Sequence, residues 1–119
     1  IGGEGRRVIG PDVPSLYNSY RVGAFTYDLP LPDGEYAVTA RFIEPTESSA
    51  GKRLFDVVAN GRVALSRVDP FALAGGQLKP IDRSFTARVS GGRLRIEFRP
   101  MPGSTAVVSA LEVIRRENP

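Results

Sequence analysis

The sequence predicts an all-β fold, a jelly-roll-type β-sandwich, on three observations. Apolar residues alternate with polar or small ones in several short segments, which is the period of a strand with one buried face. The 13 glycines and 10 prolines separate these segments instead of gathering in one linker. No segment shows a sustained helical stripe. Seven or eight short strands with turns at this spacing indicate two packed antiparallel sheets.

The first two strands are predicted over Ala24–Leu31 and Glu35–Ile43. Pro32-Asp33-Gly34 lies between them and has turn chemistry, because proline presets φ and glycine accepts a positive φ. We therefore expect a hairpin. The large apolar side chains stand at every second position: Phe25, Tyr27, Leu29 and Leu31, then Tyr36, Val38, Ala40 and Phe42.

A second hairpin is predicted around Asn60-Gly61, the strongest two-residue hairpin signal in a sequence. Leu54–Val58 leads into this turn and Arg62–Leu65 returns from it. Further strands are expected over Ser84–Val89, Arg93–Arg99 and Ala106–Ile114. Alternation places five side chains in the core: Phe55, Val57, Leu94, Ile96 and Phe98. Residues 1–119 read as a single domain with an irregular N-terminal part at 1–15 and a tail at 115–119.

Composition excludes several kinds of chemistry. The chain has no cysteine and no histidine, which removes thiol catalysis, Ser–His pairs and structural zinc. The net charge is +3, but the arginines are scattered among 13 acids, so we expect no nucleic-acid partner. No window approaches the run of about 20 apolar residues that a membrane span needs. We therefore expect no membrane partner.

Carboxylates are the remaining candidates for catalysis or metal binding. Glu44 and Glu47 are close in sequence, but neighbouring loop carboxylates project into water and lack the apolar pocket that raises a catalytic pKa. We expect no catalytic residue. Asp56, Asp69 and Asp82 are the candidate ligands for a structural calcium, yet they are dispersed and calcium needs six to eight oxygens. The sequence therefore predicts no metal site and no cofactor.

Exposed aromatic rings are the feature that a sugar site needs, because a pyranose stacks its C–H face on them. Tyr17 and Tyr20 precede the first predicted strand, and either packing or an exposed platform fits them. We expect any sugar site on the loops around Tyr17–Arg21 and Glu44–Arg53, at one end of the sandwich. Tyr20 would stack on the sugar, while Arg21 and Glu44 would bond its hydroxyls. The alternative is that Arg53 pairs with Glu44 or Glu47.

Several stretches, in order, resemble the malectin and malectin-like carbohydrate-binding domains, whose β-sandwich is similar to galactose-binding domains. Gly51–Val57 with Asn60-Gly61 resembles the family pattern GxRxFDVxxNG and is the most specific match. The other matching stretches are Leu16–Gly23, Phe25–Pro30, Asp33–Val38, Phe42–Glu44 and Val108–Val113. The pocket residues of malectin do not carry over, because Val22, Thr46, Glu47 and Gly103-Ser104 stand at their places.

The resemblance implies a non-catalytic carbohydrate-binding module, an accessory domain of a bacterial glycoside hydrolase. Its partners would be an oligo- or polysaccharide and a catalytic glycoside hydrolase domain in the same chain. That role implies a secreted or periplasmic location rather than a cytoplasmic one. The alternative is a structural or docking β-sandwich that packs on a catalytic domain and binds no sugar. The candidate binding residues are Tyr17, Tyr20, Arg21, Glu44, Glu47 and Arg53.

Overall fold

A computed structural model of the chain describes residues 6–9 and 20–116. Strands dominate this part of the chain, which confirms the predicted all-β class. In chain order the elements are β1 (Arg6–Ile9), β2 (Arg21–Gly23), β3 (Phe25–Pro30), β4 (Gly34–Phe42), β5 (Phe55–Ala59), β6 (Arg62–Val68), α1 (Pro70–Ala74), β7 (Ile81–Val89), β8 (Arg93–Pro100), β9 (Ala106–Val108) and β10 (Ala110–Arg115).

Two four-stranded antiparallel sheets form the sandwich. One sheet has the strand order β1-β10-β4-β7, which we call the first sheet, and the second sheet has the order β3-β8-β5-β6. The short strands β2 and β9 pair with each other beside them. The aromatic rings of Phe42 in the first sheet and Phe55 in the second meet edge to face, with centroids 5.6 Å apart. The core therefore lies between the two sheets.

The inward faces are those that the alternation predicts. Phe55, Val57, Leu94, Ile96 and Phe98 are all fully buried, which confirms their assignment to the core. Phe98 stacks on Phe25 of the neighbouring strand with ring centroids 4.8 Å apart. Such aromatic pairs add to the free energy gained from burying their area.

The hairpin at Asn60-Gly61 is confirmed, whereas the hairpin at Pro32-Asp33-Gly34 is wrong. Asn60 and Gly61 have φ angles of 47° and 83°, as the tight turn between β5 and β6 requires. At the other position, β3 pairs with β8 while β4 pairs with β10 and β7, so the turn carries the chain from one sheet to the other. Alternation reveals which side chains face inward but not which strand lies alongside.

Three smaller features differ from the sequence-based expectation. The strand expected over Ala106–Ile114 is interrupted at Ser109, whose N–H donates to the Arg41 oxygen; β9 and β10 then pair with different strands. Strand β10 continues to Arg115, one residue into the expected tail. Strand β1 lies within the part expected to be irregular. The five-residue helix α1 is little more than one turn long.

Candidate functional site

Three loops meet at one end of the sandwich, which we call the loop end: residues 43–54, 69–80 and 101–105. They meet there because β4, β6 and β8 end, and β5 and β7 begin, on the same side of antiparallel sheets. Strand β2, with Arg21, pairs with β9, which directly follows the third loop. Tyr20 and Arg21, the described part of the first segment expected to form a sugar site, therefore lie at the same end as the second segment.

A buried ion pair holds the first of these loops. Arg53 Nε lies 2.7 Å from Glu44 Oε1, and Arg53 Nη2 lies 3.1 Å from Glu44 Oε2. Glu44 is fully buried and Arg53 is 4% exposed. The structure therefore shows the alternative pairing of Arg53 with Glu44. Both side chains are enclosed, so the expectation that they bond sugar hydroxyls does not fit this arrangement.

The remaining contacts of the pair satisfy its polar atoms. The main-chain N–H groups of Thr46 and Glu47 both donate to Glu44 Oε2, at 3.1 and 3.0 Å. Arg53 also donates to the hydroxyls of Thr46 and Thr105. Buried charges are tolerated only when they are paired and hydrogen-bonded in this way. The pair therefore acts as a polar core for the loop.

The surroundings of Glu44 lower its pKa. Burial raises the pKa of the carboxyl, but the hydrogen bonds from Arg53, Glu47 and Thr46 and the charge of Arg53 outweigh it. A general acid for glycoside hydrolysis needs the opposite, a carboxyl whose pKa is raised so that it keeps a proton. Glu44 is therefore an ionised structural group and unsuited to proton donation.

Two further residues fasten the loops to one another. The Asp69 carboxylate accepts from Gly51 N–H at 2.6 Å and from Ala72 N–H at 3.2 Å, so it caps α1 and holds the loop before it. Leu54 N–H donates to Ser104 Oγ at 2.8 Å. These bonds give the loop end a defined main-chain shape.

Tyr20 and Arg21 lie at the surface of the loop end. Tyr20 is 43% exposed, as a stacking platform requires. The Arg21 guanidinium carbon lies 4.8 Å from the ring centroid of Phe25 and 5.4 Å from that of Tyr27. This cation–π stacking orients Arg21 across two rings. An exposed ring and an oriented cation thus belong to consecutive residues, Tyr20 immediately before β2 and Arg21 at its start.

Of the other expected residues, Glu47 is half-buried with its main chain bonded to Glu44. Tyr17 lies outside the described residues. The candidate calcium ligands have protein partners: Asp56 accepts from Arg67 N–H, Asp82 pairs with Arg41, and Asp69 caps α1. No group of three acidic residues converges within residues 6–9 and 20–116.

A second concave surface, which sequence reasoning missed, lies at the opposite end of the sandwich. A groove of about 710 Å³ runs between the edge strands β6 and β7, and we call it the edge groove. The β5–β6 hairpin forms one wall and β7 residues 85–88 form the other. Asn60-Gly61 was the available signal, but the groove depends on which strands lie at the sheet edges. Alternation along one strand does not contain that information.

The fold and these surfaces define a class: a β-sandwich that offers loops and edges for binding, in which the buried carboxylate of Glu44 is kept ionised by its partners. No helix in that part of the chain is long and apolar enough to cross a membrane. The Malectin domain model matches residues 5–119. The chain belongs to the Malectin domain family.

Individual relatives are much longer proteins. Receptor-like protein 4 of Arabidopsis thaliana is 36% identical over 91 residues, which are 74% of this chain and 14% of that protein. Among solved structures, the plant receptor-like kinase FER has a TM-score of 0.69 at 16% identity, over 95% of this chain and 32% of that one. Bacteroides uniformis beta-glucuronidase has a TM-score of 0.75 at 16% identity, over 86% and 12%. The structural likenesses show the fold.

Proposed function

We propose that this chain is a non-catalytic carbohydrate-binding domain of a larger protein and binds its sugar at the loop end. The observation that carries the proposal is the exposed ring of Tyr20, followed in the chain by the exposed Arg21, whose guanidinium is stacked on Phe25. A pyranose needs an apolar face to stack on and a donor for its hydroxyls, and these two side chains supply both. The buried Glu44–Arg53 pair supports the site indirectly by holding the adjacent loop.

Glu47 and Tyr17 complete the proposed site. Glu47 lies on the loop that Glu44 anchors, so its carboxylate is a candidate acceptor for sugar hydroxyls. Tyr17 is three residues before Tyr20 and is proposed as a second aromatic contact. Glu44 and Arg53 are positioning residues in this proposal, because their polar atoms already bond each other and the loop.

The test is a glycan-array screen of the chain followed by calorimetry on the best ligand. Tyr20→Ala should weaken binding by about 1–3 kcal/mol, by analogy with the loss of one aromatic side chain that stacks on a nucleic-acid base. Val63→Ala, an exposed change in the edge groove, is the control and should leave the affinity unchanged. Equal affinity of wild type and Tyr20→Ala, with both variants folded, would refute the site.

A docking domain that binds no sugar is the second candidate. The burial of Glu44 and Arg53 favours it, because two of the six residues assigned to sugar contacts hold a loop instead. An array without any binding glycan, for a chain whose fold is confirmed by NMR, would support docking over sugar binding.

The host protein is proposed to lie outside the cytoplasm. The similarity to Receptor-like protein 4 supports a receptor, whereas the fold shared with beta-glucuronidase supports an accessory domain of a bacterial glycoside hydrolase. The complete coding sequence decides between them: a catalytic glycoside hydrolase domain in the same chain supports the second, and a receptor architecture the first. Fractionation of the producing cells tests the location.

A further inference from the structure

The edge groove exposes main-chain groups of β7. Among the described strands, β7 pairs only with β4 and is therefore an edge of the first sheet. The C=O of Glu35 accepts from Arg116 N–H, so the main chain of Glu35 on β4 points away from β7. Its partner Arg88 in the β4–β7 register must then point outward, and its C=O does accept from Asn60 Nδ2 at 3.3 Å.

The same alternation places the main-chain N–H and C=O of Thr86 on the free side of β7. Main-chain groups of residues two apart along a strand point in the same direction, and the β4–β7 register runs without interruption from Gly34↔Val89 to Phe42↔Ile81. Thr86 and Arg88 both line the edge groove. Their outward N–H groups are therefore available to a further strand.

The two sides of the groove differ in chemistry. Towards the sandwich interior stand apolar side chains, among them the partly buried Phe85 and Ala64, which pack against the core. On the outer face of the first sheet Arg88 stands opposite Glu35, and the exposed Arg62 lies at the tip of the β5–β6 hairpin. Arg88 Nη2 lies 3.7 Å from Glu35 Oε2. An exposed ion pair of this kind contributes little to stability, so Arg88 can exchange Glu35 for an acidic side chain of a partner. The solvent side therefore favours acidic partners.

We propose that the edge groove binds an extended segment of a partner polypeptide, with alternating apolar and acidic side chains, as an added strand on β7. Main-chain hydrogen bonds to Thr86 and Arg88 would supply affinity. Successive side chains of the bound segment would contact the two sides of the groove in turn and supply specificity. The β5–β6 hairpin forms the opposite wall, so a single strand can enter whereas the broad sheet edge of a second copy cannot. This activity is separate from sugar binding at the loop end.

The experiment titrates the ¹⁵N-labelled chain with the peptide acetyl-Glu-Val-Glu-Val-Glu-Val-amide and follows its amide signals by NMR. The amides of Thr86 and Arg88 should shift and gain protection from hydrogen exchange, while those of Tyr20 and Arg21 stay in place. Thr86→Pro removes the outward N–H together with the side-chain hydroxyl and should weaken binding about tenfold. Thr86→Ala, the matched control, loses the same hydroxyl but keeps the N–H and should bind as wild type.

Two further arms keep the test decisive if Thr86→Pro fails to fold. N-methylation of the central residues of the peptide removes its donors and should abolish binding by unaltered protein. Arg88→Glu should weaken binding of the acidic peptide and strengthen binding of its Lys-Val counterpart. Arg83→Glu makes the same charge change at the far end of β7 and should leave the binding of both peptides unchanged. The proposal is overturned by absence of binding at millimolar peptide, by equal binding of the N-methylated peptide, or by shifts confined to the loop end. Dimers of the chain that pair through β7 without peptide would also overturn it.

Discussion

The side-chain nitrogen of Asn60 lies 3.3 Å from the main-chain oxygen of Arg88, so the tip of the β5–β6 hairpin in one sheet is bonded to the edge strand of the other. The same amide donates to the Arg93 oxygen at 3.1 Å, and its oxygen accepts from Arg95 N–H at 2.7 Å. One exposed side chain therefore fastens the hairpin tip to β7 and β8 beside the edge groove.

Replacing Asn60 by glycine should lower the free energy of unfolding by about 1–2 kcal/mol. Glycine keeps the positive φ of the turn, so the loss reports the three side-chain hydrogen bonds, each with a modest net contribution. Urea denaturation measures it. Ser48→Gly, in an exposed loop, is the control for the added chain entropy and should change stability much less. Equal losses in the two variants would show that the bonds of Asn60 contribute nothing.

Glu44→Gln should destabilise the fold at pH 7 by about 3–5 kcal/mol, because it leaves the buried guanidinium of Arg53 without its counter-charge. Glu97→Gln is the matched control, since Glu97 forms an exposed pair with Arg99, and only a small loss is expected there. Denaturant midpoints of the two variants test this. If Glu44→Gln lowers the free energy of unfolding by as little as Glu97→Gln does, the buried pair does not stabilise the fold.

The pH dependence of that difference has a definite sign. The folded-state pKa of Glu44 is below its ordinary value, so its contribution is complete above the unfolded-state pKa and is lost as pH falls through the folded one. The stability gap between wild type and Glu44→Gln should be constant near neutrality and shrink below about pH 4.3, the ordinary glutamate pKa. Urea titrations at several pH values measure the gap. A gap that widens on acidification would reverse the assigned shift.

Phe98→Ala should cost about 3–5 kcal/mol, as deletions of large aromatic side chains from packed cores do. Phe98 is fully buried and stacks on Phe25. Thermal unfolding of this variant and of Val63→Ala, an exposed apolar residue, gives the comparison. A Phe98 loss below about 1 kcal/mol, in the range of surface changes, would mean that the ring is not part of the core.

The isolated chain should not hydrolyse aryl glycosides, and Glu44→Gln should not change that result. The pKa of Glu44 is lowered by its bonds to Arg53 and the loop, so it cannot serve as a proton donor near neutral pH. Release of nitrophenol from a panel of nitrophenyl glycosides is the measurement. Turnover by wild type that disappears in Glu44→Gln would overturn the non-catalytic assignment.

Alternation in the sequence was enough to assign the faces of the strands, because an inward position such as Ile96 or Phe98 follows from the period alone. Pairing between strands was predictable only at Asn60-Gly61, where the turn residues themselves require a tight hairpin. Pro32-Asp33-Gly34 has equally good turn chemistry, yet it connects two sheets. Turn residues determine how the chain bends, and long-range packing determines what lies beside it.

The candidate site was predictable to a lesser degree. The sequence assigned Glu44 and Arg21 to contacts with sugar hydroxyls. Glu44 is enclosed with Arg53, whereas Arg21 lies at the surface. Whether a loop carboxylate is buried depends on how distant segments cover it, and those segments include residues near Leu78 and Thr105. Such coverage has no local sequence signal.

The crossing of the chain between sheets has a consequence for how the protein folds. Asp28 and Arg93, paired on adjacent strands, are 65 residues apart in the chain, and Asp33 and Arg115 are 82 apart. Neither sheet can be assembled from one continuous half of the polypeptide, so nucleation must await closure of long loops. Domains dominated by such non-local contacts refold on the order of milliseconds to seconds. During synthesis, β3 must wait for β8, and β1 for β10, to leave the ribosome before each gains its neighbour.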